Sequence, residues 1–245
     1  LAAFENGMGP ETVMRDSPLI LGNWRPSNFD KEFRGPIRLR VALRDSINTV
    51  AVKVSEAAGR QRVIETAHRL GITSDLAPTP AVALGVSEVT LMELTRAYAP
   101  FGNGGFGVTP YGILEVRTAS GLLLYRRPAP VLPRVIGPYE AGLMHQMLAD
   151  ALAFGTGRAA RLARGSAAGK TGTSQDNRDG WFIGYTPGLV AGVWFGNDDG
   201  APMQAVTGGG LPARTWKAFM DAALIAAPSQ PVAQPDGPAP VSQPV

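Results

Sequence analysis

The chain has 245 residues, 44% of them hydrophobic and 18% charged, with a formal net charge of +3, which suits one substantial core or two small ones. The absence of cysteine excludes disulfides, thiolate catalysis and cysteine-based metal sites; two histidines, His68 and His145, make no metal cluster and read as packing residues, so no metal and no cofactor is expected. No cluster of Lys or Arg marks a nucleic-acid surface, and no apolar run approaches the roughly 20 residues that cross a bilayer.

The first five residues read as the end of a helix that Asn6-Gly7 terminates, with Gly7 as its cap; the expectation is a chain cut from a longer one. Residues 23–34 suggest an ordered loop around Trp24, Pro26, Phe29 and Phe33. Gly35-Pro36 predicts the opening of a helix over 37–44. A second helix is predicted from Asn48 to the stop at Gly59, and a third over 60–70, closed by Gly71. Residues 74–85 form a Pro-containing loop. Thr90 with Glu93 fits a capping box and opens a helix through about Phe101. The glycine-rich 102–107 then reads as a plain helix stop. Two apolar runs, 113–118 and 122–125, joined around Ser120-Gly121, predict a hairpin. A long amphipathic helix follows over 138–154.

Three short segments, 167–173, 180–186 and 189–195, predict an antiparallel meander, with Pro187-Gly188 as a tight turn. A helix over 212–224 follows. Residues 227–245, rich in Pro, Ala, Gln and Ser, are expected to be a disordered tail, which leaves 1–226 as one domain. The fold class implied is α+β, an antiparallel sheet flanked by helices. Three strands make a thin sheet for this length, so strands N-terminal to the chain are expected to be missing, and folding of the isolated piece is doubtful.

Two motifs carry chemistry: Ser46-Ile47-Asn48 at a helix junction and Lys170-Thr171-Gly172-Thr173 on a strand. Each has a plain structural explanation. Ser46 and Asn48 suit helix capping, Lys170 a solvated strand charge, and Gly172 a bulge. Together, in this order, they match the second and third elements of the Ser-x-x-Lys, Ser-x-Asn, Lys-Thr-Gly trio of serine acyl-transfer enzymes. Lys170 would supply positive charge that lowers the pKa of a lysine beside the nucleophile. Ser46 could relay a proton to the leaving amine, and Asn48 could hold a substrate amide. Gly172 would let an extended peptide lie on the strand edge. Thr171 and Thr173 would offer hydroxyls to a carboxylate, and the Thr173 N–H half of an oxyanion hole.

The likeness extends over residues 1–223. Segments 1–7, 23–30, 33–54, 155–158, 170–187, 195–199 and 208–216 resemble class A, bifunctional penicillin-binding proteins of the 1A type. That resemblance implies the penicillin-binding and serine β-lactamase-like fold. It implies a D,D-transpeptidase acting on D-Ala-D-Ala stem peptides and an amine acceptor, and trapped by β-lactams. It also implies work at the outer face of the cytoplasmic membrane, with a membrane anchor and a glycosyltransferase domain outside this sequence.

One departure is plain: no Ser is followed three positions later by Lys. Ser27 has Asp30, Ser46 has Thr49 and Ser55 has Ala58 at that offset. The nucleophile is therefore expected upstream of Leu1, and this chain alone is expected not to acylate. A serine β-lactamase is disfavoured because no Glu-x-x-x-Asn segment lies between the motifs. A phosphate-binding loop at Gly169-Lys170 fails because Arg164 stands where it needs glycine. A non-catalytic module binding peptide through the same cleft remains the alternative. Tyr98, Tyr125 and Tyr185 are assigned to core packing, Trp181 and Trp194 to core or cleft wall, and Asp179 to orienting the loop after the third motif.

Overall fold

The structure, a computed structural model, describes residues 1–226, so the expected tail at 227–245 lies outside the described residues. Its centre is the predicted meander. Strands β5 (Ala168–Thr173), β6 (Asp179–Thr186) and β7 (Leu189–Gly196) pair antiparallel in the order β5-β6-β7. The register is regular and sets Gly172 opposite Trp181 and Trp181 opposite Trp194. Alternation along β6 sends Phe182 to one face and Ile183 and Tyr185 to the other, because successive side chains point to opposite sides of a strand.

Each face buries its apolar set under helices. Helix α7 (Leu211–Ala226) lays Trp216 on Phe182, with ring centroids 5.1 Å apart, and Ala213 and Met220 complete that cluster. Helices α5 (Leu91–Gly102) and α6 (Pro138–Ala153) cover the opposite face, where Ala97, Phe101, Ala141 and Leu148 meet Tyr185. Gly192 lets α5 come close: a β-carbon there would lie 3.0 Å from a Leu91 methyl and 2.9 Å from one of Ile183. The α+β arrangement expected from the sequence is what is found.

Ahead of the sheet lie α1 (Ala2–Glu5), α2 (Leu39–Arg44), α3 (Asn48–Ala58) and α4 (Arg60–Leu70). Gly7, Gly59 and Gly71 all end helices at positive φ, as predicted. The hairpin is present but shorter, β3 (Glu115–Arg117) with β4 (Leu123–Arg126), and exposed throughout. Tyr125 sits on it at 43% exposure and so is not a core residue, whereas Tyr185 is at 1%. The loop at 74–85 contains a 3-10 turn, Pro80–Leu84.

One prediction is corrected. Residues 35–38 do not open the helix; β2 (Gly35–Arg38) pairs antiparallel with β1 (Val13–Asp16), and α2 begins only at Leu39. Pro36 suits a helix start, but a short two-stranded ribbon also tolerates proline, which has no N–H to leave unpaired. Four-residue strands have too little alternation to betray themselves, and tertiary pairing decided the matter.

The capping box is fully formed and does more than cap. The Glu93 carboxylate accepts from the Thr90 N–H and hydroxyl at 2.9 Å each. It also accepts from the N–H groups of Thr73 (2.7 Å) and Ser74 (2.8 Å) and from their hydroxyls. These bonds, the Thr73 hydroxyl first, hold its pKa well below the usual carboxylate range. A depressed carboxylate stabilises the fold above its unfolded value of 4.5 and loses that contribution as pH falls. Glu93→Gln is therefore expected to melt lower than wild type at pH 7, with the gap closing below about pH 4. Thr90→Ala should cost about 1 kcal/mol. Thermal unfolding across pH checks both.

Candidate active site

The Ser46 turn is a helix stop built around a serine. Ser46 N–H donates to Leu43 O and Ile47 N–H to Ala42 O, the two bonds of a Schellman turn ending α2. The residue at its left-handed position is Ser46, φ +56°, where glycine is the usual choice. Ile47 then turns inward against Leu39, Ala42 and Val50, and α3 starts at once. Neither Ser46 nor Asn48 caps α3, so the capping explanation falls. The Asn48 amide donates instead to Ser27 O at 3.0 Å, which leaves its carbonyl oxygen available.

Beneath the start of α3 sits a buried carboxylate that the sequence did not announce. Asp16, at 1% exposure, accepts from the Thr49 hydroxyl (2.5 Å), the Asn28 amide (3.0 and 3.1 Å) and the Arg34 N–H (2.9 Å). Burial pushes its pKa up, but the bonds from Thr49, Asn28 and Arg34 outweigh that and hold it below the usual value. Asn28 Oδ1 in turn accepts from Thr49 N–H at 3.2 Å. The loop at 23–34 is thus ordered, as expected, and it fixes the helix start that carries Asn48.

Lys170 meets this turn across 124 residues of sequence. Its ammonium donates to Ser46 Oγ and, at 3.2 Å, to Thr171 O. It is half-buried, not a solvated strand charge, and burial draws its pKa from 10.5 down to about 8. Gly172 forms no bulge; it stays in register with Trp181, whose Cβ would lie 3.1 Å from a β-carbon at this position. Among the described residues β5 pairs on one side only, so the edge that carries Lys170, Gly172 and Thr173 is open. Thr173 Oγ1 accepts from Gly208 N–H at 3.0 Å, which leaves its proton free to donate.

Thr171 points to a residue that had no assigned role. Its hydroxyl lies 2.7 Å from the hydroxyl of Thr156, in the turn after α6. Asp179 does close the loop after the third motif: Ser174 N–H donates to Asp179 O at 3.0 Å, and Asp179 N–H to Ser174 Oγ at 2.8 Å. Its carboxylate accepts from Trp194 Nε1 at 2.9 Å, and Trp194 leans on Trp181 with centroids 6.3 Å apart. In the sequence Thr156 and Asn28 stand out only as members of the similar segments 155–158 and 23–30, and Asp16 does not stand out at all.

A half-buried ammonium against a hydroxyl, beside an amide and an open strand edge, can hold an extended peptide and shuttle a proton. A family model described as the penicillin binding protein transpeptidase domain matches residues 1–195. Penicillin-binding protein 1A of Neisseria lactamica is 34% identical over an alignment of 250 positions that covers 96% of this chain and 31% of that protein. Penicillin-binding protein 1A of Pseudomonas aeruginosa is 31% identical over an alignment of 294 positions that covers 96% of this chain and 36% of that protein. The chain spans about a third of the length of these curated relatives. The crystal structure of penicillin-binding protein 1A from Haemophilus influenzae superposes with a TM-score of 0.85 at 29% identity, over 96% of this chain and 42% of that one. PonA1 of Mycobacterium tuberculosis, in complex with penicillin V, gives 0.86 at 28% identity, over 96% and 69%.

A serine in a left-handed conformation costs conformational energy that glycine does not. Both Ser46→Gly and Ser46→Ala lose the Lys170 contact, but only glycine relieves the backbone. Ser46→Gly is therefore expected to be more stable than Ser46→Ala by about 1 kcal/mol. Chemical denaturation of the two variants tests this.

Proposed function

This chain belongs to the penicillin-binding protein transpeptidase family, and we propose that residues 1–226 carry the Ser-x-Asn and Lys-Thr-Gly side of a serine D,D-transpeptidase site that cross-links peptidoglycan stem peptides. The observation that carries this reading is the contact between Lys170 and Ser46, with Asn48 on the same turn and the β5 edge beside it.

In this mechanism a serine hydroxyl attacks the carbonyl between the last two D-Ala residues of the donor. Its proton passes to the lysine three residues on. The tetrahedral intermediate collapses to an ester, the C–N bond breaks, and terminal D-Ala leaves with a proton relayed through Ser46. The amine of a neighbouring peptide then attacks the ester, forms the new amide and releases the serine. Lys170 keeps the nucleophile's lysine neutral by its own positive charge. Asn48 holds the donor amide, and the peptide pairs along β5 over Gly172. Thr171 and Thr173 receive its carboxylate, and the Thr173 N–H contributes to the oxyanion hole.

The nucleophile and its lysine are not among the 245 residues, since no Ser-x-x-Lys occurs in them. We assign that pair to residues outside this sequence. β-Lactams would acylate the same serine as donor mimics, and the reaction would take place on the outer face of the cytoplasmic membrane. The missing motif also favours a second reading, a module that binds stem peptide without reacting.

Fluorescent penicillin separates the two. The 245-residue chain is expected to remain unlabelled, while the natural full-length protein forms a covalent band. Lys170→Ala should lower its acylation rate by on the order of a hundredfold. Lys170 acts as a cation, so the rate should fall as pH rises through about 8, where that ammonium is lost. A well-folded full-length protein that binds penicillin without a covalent band would establish the non-catalytic reading.

A further inference from the structure

We infer that Thr156 is a positioning residue that fixes the Thr171 hydroxyl toward the ligand carboxylate, an inference that rests on the transpeptidase reading above. Thr156 lies in the turn between α6 and Arg158. That turn is pinned to the helix by Gly155 N–H and Gly157 N–H, which donate to Ala151 O at 3.2 and 3.0 Å. Thr156 N–H donates to Arg44 O at 3.3 Å, two residues before Ser46. A β-carbon on Gly155 would collide with that same Arg44 carbonyl, so glycine is what allows the approach. On the other side Thr156 Oγ1 meets Thr171 Oγ1 at 2.7 Å, one residue after Lys170. The turn therefore bridges the Lys-Thr-Gly motif and the end of α2 that leads into Ser46, outside the Ser46–Lys170 contact.

The hydroxyl pair has a chemical consequence. A threonine hydroxyl has one proton and two acceptor sites. When Thr156 donates to Thr171, the Thr171 proton is free to donate to a carboxylate, and its rotor is held. Lys170 Nζ lies 3.5 Å from the same Thr171 oxygen, so an ammonium also favours its role as acceptor there. Without Thr156 the Thr171 hydroxyl turns freely and meets the ligand in the useful orientation only part of the time. Thr156 does not touch the ligand; it acts through Thr171.

The test uses the full-length protein and fluorescent penicillin, with acylation measured against penicillin concentration. Wild type must first label; if it does not, the transpeptidase reading itself fails, and this inference goes with it. Thr156→Val is expected to raise the half-saturating concentration about tenfold, the effect of losing one hydrogen bond to a charged group, with the saturated rate little changed. Thr156→Ser should restore the wild-type value. In a Thr171→Val background, Thr156→Val should add no further loss. Melting temperatures of all variants identify any that fail to fold; if Thr156→Val does, Thr156→Ala, which also lacks the hydroxyl, carries the comparison with Thr156→Ser. An equal fall in the saturated rate, an additive loss in the Thr171→Val background, or no change at all would overturn the inference.

Discussion

A desolvated ammonium held against a hydroxyl is the feature on which the rest of this structure depends. Lys170 in water would keep its proton to pH 10.5; in place its pKa is about 8, because burial disfavours the charge. The Schellman turn places a serine where glycine is preferred, so both partners of the contact are held against their own preferences. Such an arrangement persists only when its surroundings over-determine it. Here the surroundings are a regular strand on one side and a helix junction fixed by a buried carboxylate on the other.

Each support has a simple physical origin. The sheet holds Lys170 because β5 pairs along its whole length with β6, and β6 is packed on both faces by apolar helices. The Ser46 turn stays in place because Ile47 is buried behind it and Asp16 accepts bonds from both the 23–34 loop and the first turn of α3. The Gly155-Thr156-Gly157 turn then links the two supports without adding bulk, since a side chain at Gly155 would strike Arg44. The β3–β4 hairpin, by contrast, is exposed throughout.

The sequence made the local features legible and the long-range ones mostly not. Helices α3, α4 and α5 were readable because glycine stops and a capping box are local chemistry, and the meander because its alternation spans several residues. Ribbon β1–β2 was missed, since four residues opening on Gly35-Pro36 look like a helix start until their partner strand is known. Ser46, Asn48 and Lys170 can be singled out as motifs, and the fold brings Ser46 and Lys170 into contact with Asn48 on the same turn. Asp16 and Asn28 could not be singled out: an aspartate and an asparagine in a polar stretch read as surface until burial at 1% and 3% makes them a hub. Thr156 does not stand out within its segment of sequence, because its partners stand on two other elements.

The most direct measurement is an NMR titration of the folded protein carrying 13C-methylated lysine side chains. The chain has four lysines, Lys31, Lys53, Lys170 and Lys217. The account predicts one resonance that titrates near pH 8, assigned to Lys170 by its loss in Lys170→Met. A Lys170 resonance that titrates near 10.5 in the wild-type protein would mean that the ammonium is solvated and that the contact at the centre of this account does not form.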